Sequence, residues 1–374
     1  MRKLALLNFS ILFLLNVSCG NQSTRKEILP HPAWVAVDST AGRAFVVDDS
    51  NNTLSLINTS DNSVVDEEPL LDSGDTEVLP QITLAAVAIN IGNSTTRLFV
   101  SGMNSQIVVF DFDGSTLTQP SFSPLTVGSG SSNIIAGLTI DPELGNLYAA
   151  NASDGKIYVY DVDDGSALSG SPVTVGGAPE GLSYDSTLNL VAVANATANT
   201  VSFIDATNLA ASVSTLDVGR LTSDVGLASN ATGTALFIVS EKTNVVAAYQ
   251  LNTSDLSTST QISSNLAPVG PNDPEPSPNI LTGVVSHIRA VSFSSGTIKG
   301  FVTQSSGDLI FLEIPLDLST MVPGITTAGA ASGEGLDIFL DSSNEPQRIY
   351  FASPGVGAVT IINAQNNLFL DQII

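Results

Sequence analysis

The sequence predicts an all-β chain, a seven-bladed β-propeller of four-stranded antiparallel blades, on three observations. First, one unit recurs. Two apolar runs flank a polar turn in Arg43-Ala-Phe-Val-Val-Asp-Asp-Ser-Asn-Asn-Thr-Leu-Ser-Leu-Ile57, with near copies at 147–160, 190–204 and 349–362. Aligned on the first apolar residue after the turn, the copies fall at Leu54, Ile107, Ile157, Val201, Val246, Leu309 and Val359. The steps of 44 to 63 residues match the period of a four-stranded blade. Second, charged residues are only 13% of the chain, Gly numbers 30, and no helix-period stretch of useful length occurs. Third, runs such as Ile107-Val-Val-Phe110 are continuously apolar, as expected of strands covered on both faces.

The chain divides into 1–18, a signal peptide; 19–30, a lipidated N-terminus and tether; and 31–374, the propeller. Arg2 and Lys3 precede an apolar run, Leu4 to Leu15, that is too short to span a bilayer. The run ends at Leu15-Asn-Val-Ser-Cys19-Gly, which resembles a bacterial lipobox, with Asn16 where that motif usually has Leu. The resemblance implies that Cys19 is lipidated and heads the mature protein. Cys19 is also the only cysteine, so no internal disulfide can form and the core must supply the stability.

Each repeat then reads as an inner strand, two matched strands and a looser outer strand. The expected inner strands are Trp34 to Val37, Val87 to Ile89, Leu138 to Ile140, Leu182 to Tyr184, Val225 to Ala228, Ala290 to Phe293 and Leu336 to Leu340. Several are closed by an Asp able to bond its own backbone and start a turn, as at Asp38, Asp141, Asp185 and Asp341. Thr126-Val127 and Val173-Thr-Val175 read as outer strands. Aromatic residues such as Phe45, Phe99, Tyr148, Phe203, Phe237 and Tyr350 fall at strand positions and are expected in blade-to-blade packing. Two insertions break the rhythm: acidic Asp66 to Pro80, and Pro268 to Pro278, whose five prolines exclude an interior strand. The last outer strand, within Leu368 to Ile374, is expected to lie beside the N-terminal strand and close the ring.

An apolar strand ending in Asp, then Arg-x-Phe-Val, then Asn-Thr-Leu/Val-Ser-x-Ile-Asn/Asp resembles the YVTN-type repeat. That repeat builds seven-bladed propellers in bacterial surface-layer, YncE-like and lactonase-like proteins. The resemblance covers 31–374 and specifies fold well and function badly. The fifth and sixth repeats depart most, lacking the Asn-Thr before Val246 and Leu309.

Net charge is −24, from 12 basic and 36 acidic residues. Such a surface repels phosphate backbones and anionic bilayers, which excludes nucleic acid as a partner and leaves the lipid as the only membrane contact. With only His31 and His287, copper and haem sites are excluded and catalytic zinc is disfavoured. No Gly-rich phosphate loop or Gly-x-Ser-x-Gly elbow occurs. Asp111-Phe-Asp-Gly114 and Asp161-Val-Asp-Asp-Gly165 lack the spacing and distal Glu of a calcium loop and read as hairpin turns.

The candidate site is a ring at the mouth of the central channel: the residue just before each inner strand's core. These are Ala33, Ala85, Ala136, Glu180, Asp224, Arg289 and Glu334, neutral in blades 1–3 and charged in blades 4–7. His31 and His287 lie two residues before ring positions. Trp34 is either inner-strand core or a stacking surface. Glu180, Asp224, His287, Arg289 and Glu334 are therefore the expected ligand-binding residues. They are suited to bracketing a polar ligand or holding a divalent cation such as calcium; the alternative is an ion-paired, water-filled channel. No catalytic set is evident.

The expected function is a lipid-anchored envelope module, at the outer membrane or cell surface, that binds a protein, glycan or small ligand as a monomer. Without lipidation it would be periplasmic or secreted. One alternative is a lactonase-like hydrolase. There Glu180, Asp224 or Glu334 would be ligand or base, Arg289 would stabilise the oxyanion and His287 would carry a proton. The other is a structural surface-layer component.

Overall fold

The computed structural model describes residues 32–69, 79, 82–130, 132–262, 281, 283–327 and 333–373. His31, Cys19, the proline-rich segment and most of 70–81 lie outside the described residues. The strands form seven antiparallel sheets, each built from consecutive strands. The inner strands are Trp34–Asp38, Thr83–Asn90, Ile135–Asp141, Pro179–Asp185, Asp224–Ser229, Val285–Ser292 and Leu336–Leu340. The seven-bladed expectation holds, and each expected inner strand lies within an observed one except for Phe293, one residue beyond its strand. No helix among the described residues is long and apolar enough to cross a membrane.

The turn between the second and third strands explains the Asn of the repeat. Each third strand is preceded by a residue with left-handed backbone, directly or, in blade 6, with Asp308 between. Asn52, Asn199 and Asn244 serve in blades 1, 4 and 5, Gly155, Gly307 and Gly357 in blades 3, 6 and 7, and Ser105 in blade 2. Asn and Gly tolerate that conformation best. The fifth repeat, which lacks Asn-Thr in sequence, keeps the part that matters in Asn244. The two calcium-like loops are turns: Asp113 accepts from the backbone of Ser115 and Thr116, and Asp161 from that of Asp163.

The core is a chain of clusters lying between blades. Leu182 and Val191 of blade 4 pack with Tyr148 and Val159 of blade 3, and Phe237 of blade 5 with Ile288 and Val302 of blade 6. Phe45, Phe99, Tyr148, Phe203, Phe237 and Tyr350 are among the largest fully buried side chains, as their strand positions predicted.

The seam corrects one expectation. Among the described residues, the last strand, Phe369–Ile373, pairs only with Ala358–Asn363 of its own blade. Among the described residues no strand crosses between the chain's ends. Blade 7 meets blade 1 by packing, with Val35 and Val37 against Tyr350, Val359 and Ile361. The Val37 amide also donates to Asp337 Oδ2 (2.8 Å). A second correction concerns Asp66 to Pro80. Its first residues form the outer strand Val64–Pro69 of blade 1, because Thr53–Asn58 offers them a free edge to pair with.

Opposite the mouth, cations near the start of second strands tie blades 1, 2, 6 and 7 each to the next. Arg97 pairs with Asp111 (2.6 Å) of its own blade and donates to the Val162 and Asp163 carbonyls of blade 3. Lys299 does the same with Ala364 and Gln365 of blade 7, and Arg348 with Ser60 of blade 1. Arg43 bonds the Ser94 carbonyl of blade 2 from a more exposed position. Removing Arg97 would leave a carboxylate and two carbonyls without their partner in a buried setting. Arg97→Ala is therefore expected to cost about 3–5 kcal/mol in urea denaturation, and Arg43→Ala less than about 1 kcal/mol. Equal losses would contradict this account of the struts.

Candidate functional site at the channel mouth

Four inner strands begin with a break in register, all at the mouth. Leu84 is extra between Thr83 and Ala85, and Ala136 between Ile135 and Gly137. Glu180 and Gly181 fall between Pro179 and Leu182, and Ser286 and His287 between Val285 and Ile288. A bulge takes residues out of the ladder and re-aims their side chains. Here the residues so released line a cavity of about 820 Å³ to which all seven blades contribute. Pro179, with no amide hydrogen to give the ladder, suits the first position of its strand.

All seven ring positions (Ala33, Ala85, Ala136, Glu180, Asp224, Arg289 and Glu334) line this cavity, as do Trp34 and His287. Their inner strands approach closely because Gly181 and Gly335 stand where a Cβ would collide with Asp224 and with the Trp34 indole.

Asp224 is buried, and its oxygens are engaged. Oδ1 accepts from the Val225 amide (2.8 Å) and Oδ2 from the Ile288 amide of blade 6 (2.9 Å). His287 Nδ1 lies 3.5 Å from Oδ2 and Arg289 Nη1 4.0 Å from it. Asp224 thus anchors His287 and Arg289 and leaves little acceptor capacity for a ligand. His287 packs edge-on to Trp34 (4.7 Å between centroids), and the Arg289 guanidinium lies over the same indole at 6.0 Å. Arg289 also donates to the Ile288 carbonyl. Trp34, only 4% exposed, is both core and cavity wall.

Glu180 and Glu334 are half-buried, and neither carboxylate hydrogen-bonds a described residue. Burial pushes Glu180 up to about 7, aided by Glu241 and Asp224 and opposed by His287. Burial also raises Glu334, with His287 opposing and Glu241 adding to the rise. Among the described residues no three His, Cys, Asp or Glu side chains form a group that could hold a metal ion.

Glu241 and Asp49 also belong to the cavity, and ring reasoning missed both. Each directly follows a second strand, Thr234–Ser240 or Arg43–Asp48, whose end lies beside the start of the inner strand. The signal was legible, since the antiparallel repeat places that position at the same mouth. Asp49 accepts from the Thr83 amide, joining blade 1 to blade 2. Burial raises its pKa against that bond.

No protein-family model matches the chain, and no curated protein matches it. Among solved structures, a functionally unknown protein from Desulfotomaculum acetoxidans is similar at TM-score 0.60 and 12% identity, over 89% of this chain and 95% of that one. Hydrazine synthase from Kuenenia stuttgartiensis aligns at TM-score 0.48 and 10% identity, over 95% and 90%. The first likeness shows the fold alone.

The site yields a pH-dependent prediction. Because the folded pKa of Glu180 lies above its ordinary value near 4.5, its stabilising contribution is full below pH 4.5 and is lost as pH rises through about 7. Glu180→Gln cannot ionise. Urea denaturation should find it more stable than the wild type by about 1 kcal/mol at pH 8, after solvent screening, and equal to it at pH 4. A variant weaker at pH 8 would contradict a strained carboxylate.

Proposed function

We propose that this chain is a lipid-anchored envelope propeller of the YVTN, YncE-like kind that binds its ligand at the channel mouth. The observation that carries the reading is the cavity itself. Its volume falls in the range of ligand sites, all seven blades wall it, and it combines apolar surface with carboxylates that no described residue bonds. Its charged half is held ready: Asp224 fixes His287 and Arg289, and bulges present Glu180 and His287. Lipidation at Cys19 would tether the acidic domain by acyl chains, standing off anionic lipid.

A second reading, a lactonase-like hydrolase, has one observation in its favour. A carboxylate with a pKa of about 7 in a cavity suits general-base activation of water at neutral pH, and His287 and Arg289 stand across the same mouth. Binding alone requires fewer groups in concert and is the reading we adopt.

Arrays of peptides, glycans and small molecules test the two readings together. The binding module is expected to retain a ligand that Ala136→Phe, which fills the mouth from an alanine position, weakens at least about tenfold. Retention unchanged in that variant would remove the mouth as the site. Lactone turnover lost in Glu180→Gln would select the hydrolase. Cys19→Ser should release the protein from the membrane fraction, and its retention there would end the anchor reading.

A further inference from the structure

The cavity is polarised across the ring, and the polarity identifies a class of ligand. On blades 2 and 3 its wall is apolar, from Ile82, Leu84, Ala85, Ala136 and Leu138. On blades 4, 5 and 7 it carries Glu180, Glu241 and Glu334. Between them, His287 and Arg289 lie within 4.0 Å of the Asp224 carboxylate. The carboxylates of Glu180, Glu241 and Glu334 thus face the cavity with no hydrogen bond or ion pair to a described side chain, and Asp49 of blade 1, held by the Thr83 amide, adds a fourth carboxylate. The Trp34 indole Nε1 is buried and has no hydrogen-bond acceptor among the described residues.

An anion entering this mouth would face these carboxylates. A neutral molecule would forgo charge-assisted bonds. An alkylammonium meets both halves: its N–H groups donate to the carboxylates while its stem lies on the alanine side. It also relieves the mutual repulsion of Glu180 and Glu241.

Resting on the mouth being the binding site, we propose that it takes the ammonium head of an aliphatic amine, free or at the end of a lysine side chain, with the alkyl stem against blades 2 and 3. Binding should tighten as pH rises from 6 to 8, since burial, with Glu241 and Asp224 adding to it and His287 opposing, leaves Glu180 partly protonated near neutrality and the ammonium requires the carboxylate.

Trp34 is the chain's only tryptophan and stands in the cavity wall, so its emission reports on this site alone. The full-length protein is titrated with hexylammonium, hexanol, hexanoate, calcium and N-acetyl-lysine methylamide. Hexylammonium is expected to change the emission saturably, at least about tenfold more tightly than hexanol, with hexanoate and calcium silent. A response to the lysine derivative as well would identify a protein side chain as the source, and hexylammonium alone a free amine. The double variant Glu180→Gln with Glu334→Gln should bring hexylammonium down toward the affinity of hexanol. A far-UV circular dichroism spectrum and a urea midpoint like the wild type's show that the variant is folded. Hexylammonium no tighter than hexanol, calcium in its place, or a double variant that binds the amine undiminished would overturn the proposal. If amines fail while another ligand remains sensitive to Ala136→Phe, the class is wrong and the site stands. If Ala136→Phe leaves binding intact, the site reading itself has failed.

Discussion

The structure depends on what happens at the inner edge of each sheet. An edge strand presents a row of backbone groups with nothing to pair with. Here side chains of neighbouring blades satisfy those groups. Asp224 of blade 5 accepts from Ile288 of blade 6, Ser183 of blade 4 from Leu227 of blade 5, and Asp337 of blade 7 from Val37 of blade 1. Ser39 of blade 1 returns the favour to Leu340 of blade 7. Such bonds work only if every blade has a neighbour on each side. Seven consecutive sheets therefore close into a ring, and residues far apart in the chain come face to face around one mouth.

The two faces of the ring use charge differently. On the face away from the mouth, the scarce cations Arg97, Lys299 and Arg348 reach carbonyls of the next blade and act as struts. At the mouth, carboxylates predominate; Asp224 is spent on the backbone and on His287 and Arg289, and Asp49 on the Thr83 amide. Burial then keeps Glu180 and Glu334 poorly ionised compared with surface acids. An excess of acid that would be unremarkable on a solvated surface becomes chemistry once a ring gathers it around a cavity.

Much of this was legible beforehand. The repeat revealed blade number and strand order, because a turn that needs a left-handed residue leaves Asn or Gly at a regular place, from Asn52 to Gly357. Counting back from each inner strand found the seven ring positions that line the cavity. The bulges were not legible. An extra residue at Ala136, or at Glu180 and Gly181, changes neither composition nor alternation enough to be seen, yet it decides where those side chains point. Glu241 was not legible from the inner strands because it follows a second strand, and the engagement of Asp224 depends on blade 6, far along the chain. The seam was misjudged for a related reason: the sequence marks strands, whereas pairing partners at the two ends are set by packing of Val35 and Val37 on Tyr350.

The central claim is that blades 7 and 1 close the ring, among the described residues, by side-chain packing and contacts such as the Val37 amide on Asp337 rather than by a shared strand. Native-state hydrogen exchange at the Val37 amide tests it most directly. The account predicts protection within about tenfold of that at Ile288, whose amide makes the same kind of bond to Asp224 in mid-chain. Exchange at Val37 at the rate of a fraying terminus, with Ile288 still protected, would contradict closure at the seam.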